Sequence, residues 1–192
     1  APNNDVFVES TTIASATPVF SSLSGGVVAV AILSPTAQVS GTTTADVSGG
    51  AVIQANNITI KATSTGTSDV TLTRVGGGLV SVALLTTEAT ASNTSQVKVR
   101  DSSVLTATNN ISIISSNTSI SKAYSKTDGG ALVDIGDAAA TANVTSSSNV
   151  TFEGGTVNIT ATKGLFLIQA LSSVTTKATA KADTAGLGTD SN

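Results

Sequence analysis

VKVRDSSVLTATNNISI, at Val97–Ile113, is the stretch of sequence that decides the fold. Its apolar residues alternate with polar ones and are Val97, Val99, Val104, Ile111 and Ile113. Alternation at period two indicates β-strands that are buried on one face, and clusters of Asp, Ser and Asn indicate turns. The stretch therefore predicts three short strands separated by two bends.

The same order of residues occurs before and after this stretch. About 52 residues earlier the apolar positions are Ala45, Val47, Val52, Ile58 and Ile60, and about 53 residues later they are Val150, Phe152, Val157, Leu165 and Leu167. Repetition at a period of roughly 50 residues is typical of a solenoid or another stacked array. The chain is therefore expected to be one structural unit repeated in tandem.

A glycine pair lies between two alternating runs in each unit, at Gly25-Gly26, Gly77-Gly78 and Gly129-Gly130. Glycine adopts positive φ angles without steric cost, which a tight two-residue hairpin requires. The sequence therefore predicts a hairpin excursion at each glycine pair.

These patterns predict an all-β fold, a right-handed parallel β-helix (β-solenoid) built of repeats of about 52 residues, each with a Gly-Gly hairpin. Residues 1–192 form a single array: a partial unit 1–24, repeat 1 at 25–76, repeat 2 at 77–129, repeat 3 at 130–188 and a tail 189–192. Whether a repeat makes one coil or two stays open at this stage.

Stacking in register makes a specific prediction about charged residues. If successive units lie one strand spacing apart, Asp46 faces Lys98, and Arg100 faces Glu153. Such exposed pairs contribute little to stability, but they help to set the register of the stack.

Composition excludes several classes of protein. Hydrophobic residues make up 40% of the chain, so it is expected to fold, while Cys and His are absent. With a net charge of −3 and no cluster of Lys or Arg, nucleic acid is not an expected partner. No apolar run reaches the length of a membrane helix, so membrane insertion is not expected either.

Candidate catalytic residues are few and scattered. Glu9, Glu88 and Glu153 lie in different units, so no acid and base pair of the kind used on polysaccharides is predicted. Ser121 and Lys122 are adjacent and therefore point to opposite faces of a strand. The sequence predicts that the protein is not an enzyme, with no catalytic residues and no cofactor.

The stretch from Asp128 to Asp137 resembles the glycine and aspartate repeats that bind calcium in secreted toxins. It departs from that pattern at Leu132, where Gly is needed, and it occurs only once. No metal-binding residues are therefore predicted, and calcium binding by Asp134 and Asp137 is left as an open question.

Asn-x-Ser/Thr triplets occur at several places in the chain. We interpret them as turn asparagines and not as glycosylation sites, because Ser and Thr make up close to a third of all residues. The asparagines concerned are Asn57, Asn93, Asn110, Asn117, Asn143, Asn149 and Asn158.

Two long stretches, residues 56–92 (NNITIKATSTGTSDVTLTRVGGGLVSVALLTTEATAS) and 109–144 (NNISIISSNTSISKAYSKTDGGALVDIGDAAATANV), carry a resemblance to a known family. Their shared pattern, Asn-Asn before Ile-x-Ile, then Gly-Gly and an Ala- and Thr-rich run, resembles the repeats of very large bacterial surface adhesins, the leukotoxin-like and filamentous-haemagglutinin-like proteins. The resemblance implies an exported β-helical stalk or binding rod at the cell surface.

The expected function is therefore a non-enzymatic structural or adhesive segment of a large exported protein. Expected partners are neighbouring repeats of the same or identical chains, and host or cell-surface glycans or proteins. One alternative is a subunit that self-assembles into an extracellular filament or sheath, and a second is a β-helix module that binds or degrades polysaccharide.

Overall fold

The computed structural model describes residues 4–191, which fold entirely as β-strands, bends and turns without any helix. The eleven strands are β1 Val6–Ala16, β2 Val19–Ser24, β3 Val28–Leu33, β4 Thr36–Val47, β5 Val52–Ala55, β6 Ile58–Arg100, β7 Val104–Ala107, β8 Ile111–Glu153, β9 Asn158–Ala161, β10 Phe166–Asp183 and β11 Gly188–Ser191. The prediction of an all-β chain is confirmed.

Strands pair with their counterparts one repeat later. Val6 pairs with Ile58, Ile58 with Ile111, and Ile111 with Phe166. The strands β1, β6, β8 and β10 follow one another in a large sheet, and β5, β7 and β9 form a second sheet. One repeat therefore forms one layer of the stack, and the alternative of two coils per repeat is wrong.

The predicted hairpin at each glycine pair is also wrong. A hairpin needs antiparallel strands, whereas every strand pairing within residues 4–191 is parallel. Strand β6 runs for 43 residues through Gly76–Gly78, and its partner there is Gly129–Ala131 of β8. Both halves of the strand find their hydrogen-bond partners in the neighbouring layers, so they do not need to pair with each other.

The two halves of each long strand nevertheless face each other through their side chains. In β6, Ser95 Oγ donates a hydrogen bond of 2.9 Å to the carbonyl of Ala62. We call the run from 58 to 76 the outgoing limb and the run from 79 to 100 the return limb, with 111–129 and 132–153 as their counterparts in β8. Together the facing limbs form a flat arm whose tip lies at the glycines.

The wide end of the molecule, which we call the base, holds the main apolar core. Its side chains are contributed by the strands on both sides of the two short bends and are almost completely buried. They are Ala45, Val47, Ala55, Ile58, Ile60, Ala62, Val97, Val99, Leu105, Ala107, Ile111 and Ile113. Four of the five alternating apolar positions predicted in Val97–Ile113 point into this core. In the middle strand the prediction is wrong, because Leu105 and not Val104 points inward.

Small side chains fill the interior of the arm. A cluster of Ala37, Val70, Ala89 and Ala123 lies between the limbs. Hydroxyl groups bridge the gap to carbonyls of the facing limb, as in the 2.8 Å bonds from Ser68 to Ala37 and from Ser121 to Ala89. Because alanine and serine are short, the two facing limbs approach closely enough for side chains to reach the opposite backbone.

The third repeat is shifted relative to the alignment expected from the sequence. Asn158, and not Val157, pairs with Val104, and Phe166 and Ile168 replace Leu165 and Leu167 as the partners of the core isoleucines. The bends on either side of β9 are each one residue longer than their counterparts, at residues 154–157 and 162–165. These insertions increase the register offset without disturbing the strands.

Backbone angles at the first bend explain its glycines. Gly49 and Gly50 have φ angles of 69° and 68°, and Gly154 and Gly155 have 74° and 120°. In the middle layer the same left-handed geometry is adopted by Asp101 and Ser102, at 61° and 60°. Aspartate tolerates this region because its side chain can bond locally, and Asp101 Oδ2 accepts a 3.2 Å bond from the Gly49 amide.

Candidate functional site

Charged residues at the outer edge of the base were predicted to meet across layers. The register is as expected, with Asp46 opposite Lys98 and Arg100 opposite Glu153. The ion pair that forms is diagonal, however: Arg100 Nη2 lies 2.6 Å from Asp46 Oδ2, and Arg100 Nε lies 3.2 Å from Asp46 Oδ1. The planar guanidinium reaches two carboxylate oxygens at once, which a lysine ammonium does not do.

The same contact affects both titrating groups. The hydrogen bond from Arg100 lowers the pKa of Asp46, the positive charges of Arg100 and Lys98 lower it further, and desolvation opposes them. The bond to Asp46 in turn raises the pKa of Arg100. The carboxylate form of Asp46 is therefore favoured by folding, so the pair supports stability above the ordinary pKa of Asp and loses that effect as the pH falls through the folded pKa.

A second ion pair lies on the outer face of the outgoing limb and was missed by sequence reasoning. Lys126 Nζ is 2.7 Å from Asp128 Oδ2, and it is 3.9 Å from a carboxylate oxygen of Asp183 in the next layer. The hydrogen bond to Asp128 raises the pKa of Lys126. Lys126 and Asp128 are two residues apart in one strand, so the period-two spacing was the signal that could have indicated the contact.

The scattered glutamates do not come together. Glu9 pairs in register with Lys61, Glu88 lies between Thr36 and Thr141, and Glu153 lies opposite Arg100. Within residues 4–191 no three Asp, Glu, His or Cys side chains are grouped as metal ligands. The three glutamates therefore lie beside Lys61, threonines and Arg100, and none of them is the register partner of another carboxylate.

Ser121 and Lys122 point to opposite faces of the strand, as expected. Ser121 is buried in the arm and donates to the carbonyl of Ala89, whereas Lys122 is exposed. The serine hydroxyl therefore has a structural partner across the arm, and the adjacent ammonium faces solvent.

Asp134 and Asp137 also lie on opposite faces of their strand. Asp134 is fully buried inside the arm, while Asp137 is in register with Leu84, an outward residue that is 43% exposed. A calcium site needs several oxygen ligands around one ion. The structure does not bring these two carboxylates together, so each must be considered by itself.

Arg74 is the largest fully buried side chain of the described chain and lies near the tip of the arm. Its Nη2 donates 2.8 Å bonds to Ser24 Oγ in the layer before and to Ser81 Oγ in the facing limb. Its Nη1 lies 3.4 Å from Thr127 Oγ1 in the layer after. One guanidinium thus connects three successive layers through hydroxyl groups.

Asp134 is buried close to this arginine without a hydrogen bond of its own. It is the register partner of Ser81, which Arg74 contacts, yet neither carboxylate oxygen has a partner. A Cβ atom added at Gly129 would lie 1.7 Å from Asp134 Oδ2, and one added at Gly76 would lie 2.2 Å from Arg74 Nη2. These two glycines therefore provide the space that the buried charged groups occupy.

Asparagine side chains take two different roles, so their interpretation as turn residues is right only in part. At the corner before β6 and β8, Asn57 Oδ1 accepts bonds of 3.1 Å and 3.2 Å from the amide and side chain of Asn110, and Asn110 Oδ1 accepts from the Leu165 amide. Asn93 and Asn117 instead lie buried within strands, and Asn117 donates a 2.6 Å bond to the carbonyl of Asn93.

The return limbs carry a feature that sequence reasoning missed, an outward face of aliphatic side chains. Its rows run across three layers in register, and we call it the aliphatic face: Val28, Val80 and Val133; Val30, Val82 and Ile135; Ile32, Leu84 and Asp137. Six of its eight aliphatic side chains are between 40% and 70% exposed. The inward positions between them belong to smaller residues such as Ala29, Ser81 and Ala83.

The outward face of the outgoing limbs is different in character. There the third layer presents Tyr124, Lys126 and Asp128, whose partners in the second layer are Thr71, Thr73 and Val75 and in the first layer Val19, Ser21 and Leu23. The arm therefore has one aliphatic outer face and one more polar outer face, which is most polar in the third layer.

Comparisons with known proteins found no matching family model, no similar curated protein and no similar solved structure. Among residues 4–191 no helix is present that is long and apolar enough to cross a membrane.

Proposed function

We propose that the chain is a segment of a right-handed parallel β-solenoid that serves as a non-enzymatic structural or adhesive part of a large exported bacterial surface protein. The observation that carries this proposal is the register, in which every counterpart strand of successive repeats pairs in parallel at offsets of 52 to 55 residues. Parallel stacking of one repeat on the next is the way in which solenoids extend.

The dimensions of a layer favour a role for the sides of the array. Parallel strands lie about 4.8 Å apart, so each repeat of about 52 residues lengthens the stack by only about 4.8 Å. A limb of 19 residues, such as 58–76, spans roughly 60 Å at about 3.3 Å per residue. Most residues of a repeat therefore lie along the sides of the stack. The proposed adhesive contact is on these sides.

The second candidate function is a self-assembling filament or sheath subunit, and the aliphatic face favours it. Contiguous apolar surface on a soluble protein marks a contact site for another molecule. If the surface serves other copies of the chain and no foreign partner, the protein is a building element and not an adhesin.

Surface exposure is the first test of the proposal. Antibodies raised against the folded chain should label intact cells of the organism that makes it, and external protease should remove the label. Labelling that appears only after the cells are permeabilised would overturn the proposal.

Adhesion is tested separately with beads coated with the chain. Coated beads are expected to attach to a glycan or cell surface, and beads coated with Ile111→Asp, which places a charge in the core of the base, are expected not to attach because the fold is lost. Equal attachment of both kinds of bead would show that any adhesion is unspecific. Attachment to none of a broad panel of surfaces would favour the filament alternative.

A further inference from the structure

The aliphatic face is an unusual surface for a parallel sheet. Parallel sheets are normally covered on both faces, because their strands are apolar on both sides. In the return limbs the inner side is covered by the outgoing limbs, while the outer side presents the eight aliphatic residues of the aliphatic face. This outer side has no cover within residues 4–191.

We propose that two copies of the chain pack against each other through their aliphatic faces, sheet on sheet. The face carries a single charged residue, Asp137, and that residue stands at one corner of the three-by-three grid. A partner surface must therefore be aliphatic and nearly uncharged. The same face in a second copy meets this requirement.

The area of the face fits a weak, reversible pair. Complete burial of a Val, Leu or Ile side chain removes roughly 100 Å² from water, and these side chains are about half exposed. Eight such residues offer roughly 400 Å² per copy. Two copies would bury about 800 Å², which is the size of a weak, transient interface.

This size predicts reversible pairing that becomes tighter with the number of repeats. A further layer with aliphatic residues at these positions, as in β3 and β6, would add another row to the face, whereas β11 places Gly188 next to Val133 and Asp190 next to Ile135. Face-to-face pairing also ends at two copies, because each chain has one such face. Pairing through the edges of terminal strands would differ, because it would continue into longer oligomers.

The repeats themselves provide matched variants for the test. Leu84→Asp places in the second layer the residue that the third layer has at this position, so the fold already accepts it. Asp137→Leu makes the reverse exchange. Thr73→Lys, which copies Lys126 of the third layer onto the polar face of the same arm, serves as the control.

Sedimentation equilibrium over a range of concentrations measures the outcome. The unmodified chain should form dimers and no larger species, Leu84→Asp should raise the dissociation constant at least tenfold, and Asp137→Leu should lower it several-fold. Thr73→Lys should leave it unchanged, and circular dichroism should show the same strand content in all four proteins. A chain that stays monomeric, forms open-ended oligomers, or responds equally to Leu84→Asp and Thr73→Lys would overturn the proposal.

This pairing goes beyond the proposed surface function and does not depend on it. The oligomeric state is measured on the purified chain, whereas the proposed function is tested by labelling of intact cells and by bead adhesion. Failure of the pairing leaves the surface function standing, but it removes the support that the aliphatic face gives to the filament alternative.

Discussion

The base and the arm are built from the same parallel layers but are held together by different means. In the base, isoleucine, leucine and valine side chains meet in one apolar core. In the arm, small side chains such as alanine and serine lie between the two facing limbs, and hydroxyl groups donate hydrogen bonds to carbonyls of the opposite limb. The difference teaches that parallel stacking sets the backbone pairing in both regions. The size of the inward side chains then sets the distance between the two sides of each layer.

The largest effect is expected from a cavity in the base. Ile111→Ala removes a fully buried side chain from the core, so the free energy of unfolding should fall by about 2 to 5 kcal/mol. Val82→Ala on the outside of the arm is the control and should cost much less. Urea denaturation of both variants measures the difference, and equal losses would contradict the distinction between base and arm.

In the arm, the free energy of unfolding is expected to depend more on the space between the facing limbs than on the buried apolar area. A Cβ atom at Gly66 would lie 1.5 Å from the terminal amide group of Asn93 in the facing limb, so Gly66→Ala should cost about 1 to 3 kcal/mol through overpacking. The first layer has Ala14 and Gly41 at these two positions. The double variant Gly66→Ala/Asn93→Gly should therefore recover most of the loss.

Denaturation of the single and double variants tests this compensation between facing side chains. If the double variant is as unstable as the sum of its two single changes, the limbs do not approach as closely as the contact requires.

The buried charge at the tip offers a prediction of the opposite sign. Asp134 has no hydrogen-bond partner, so Asp134→Ser, which restores the residue of the second layer, should raise the free energy of unfolding by about 1 to 3 kcal/mol. Ser81→Asp introduces a second buried carboxylate and should lower it. A loss of stability in Asp134→Ser would instead show that the carboxylate pairs with Arg74 in solution, as a buried ion pair would.

The smallest effect is expected at the exposed ion pair of the base. Because Arg100 lowers the pKa of Asp46, Asp46→Asn should reduce stability slightly at neutral pH. The difference from the unmodified chain should disappear as the pH falls below the folded pKa of Asp46, where the carboxylate is protonated. Thermal unfolding of both proteins at neutral pH and at a pH below the folded pKa of Asp46 measures this difference in stability. A difference that persists at the lower pH would exclude the ion pair as its cause.

Much of the stacking could be predicted from the sequence. The spacing of Val97, Val99 and Ile111, repeated about 52 residues away on each side, predicts which positions lie next to each other in successive layers. Registers such as Asp46 with Lys98 follow from it directly, because a parallel stack places equivalent positions one strand spacing apart. The shifts around β9 were not predicted, since an extra residue in a bend leaves the strand pattern unchanged.

The orientation of the aliphatic face and the burial of Arg74 and Asp134 could not be predicted from the sequence. In VVAVAIL and LVSVALL, residues 27–33 and 79–85, both strand faces are apolar, so period two alone does not say which face is buried. In the structure Ala29 and Ser81 point inward, where Ser81 accepts a hydrogen bond from Arg74, and the valines point outward. The burial of Arg74 and Asp134 likewise depends on glycines in neighbouring turns and layers that leave room for them.

The sequence by itself therefore determined the all-β composition of the chain, the repeat and the apolar core of the base. Only the tertiary structure decided that the glycines mark the tip of a parallel arm and not a hairpin, and that the aliphatic residues beyond them face outward. The physical reason is that a backbone N–H group can bond either to the other limb of its own layer, as in an antiparallel hairpin, or to the next layer, as in a parallel stack. Which of these two partners the backbone uses depends on contacts between residues that are about 50 positions apart in the sequence.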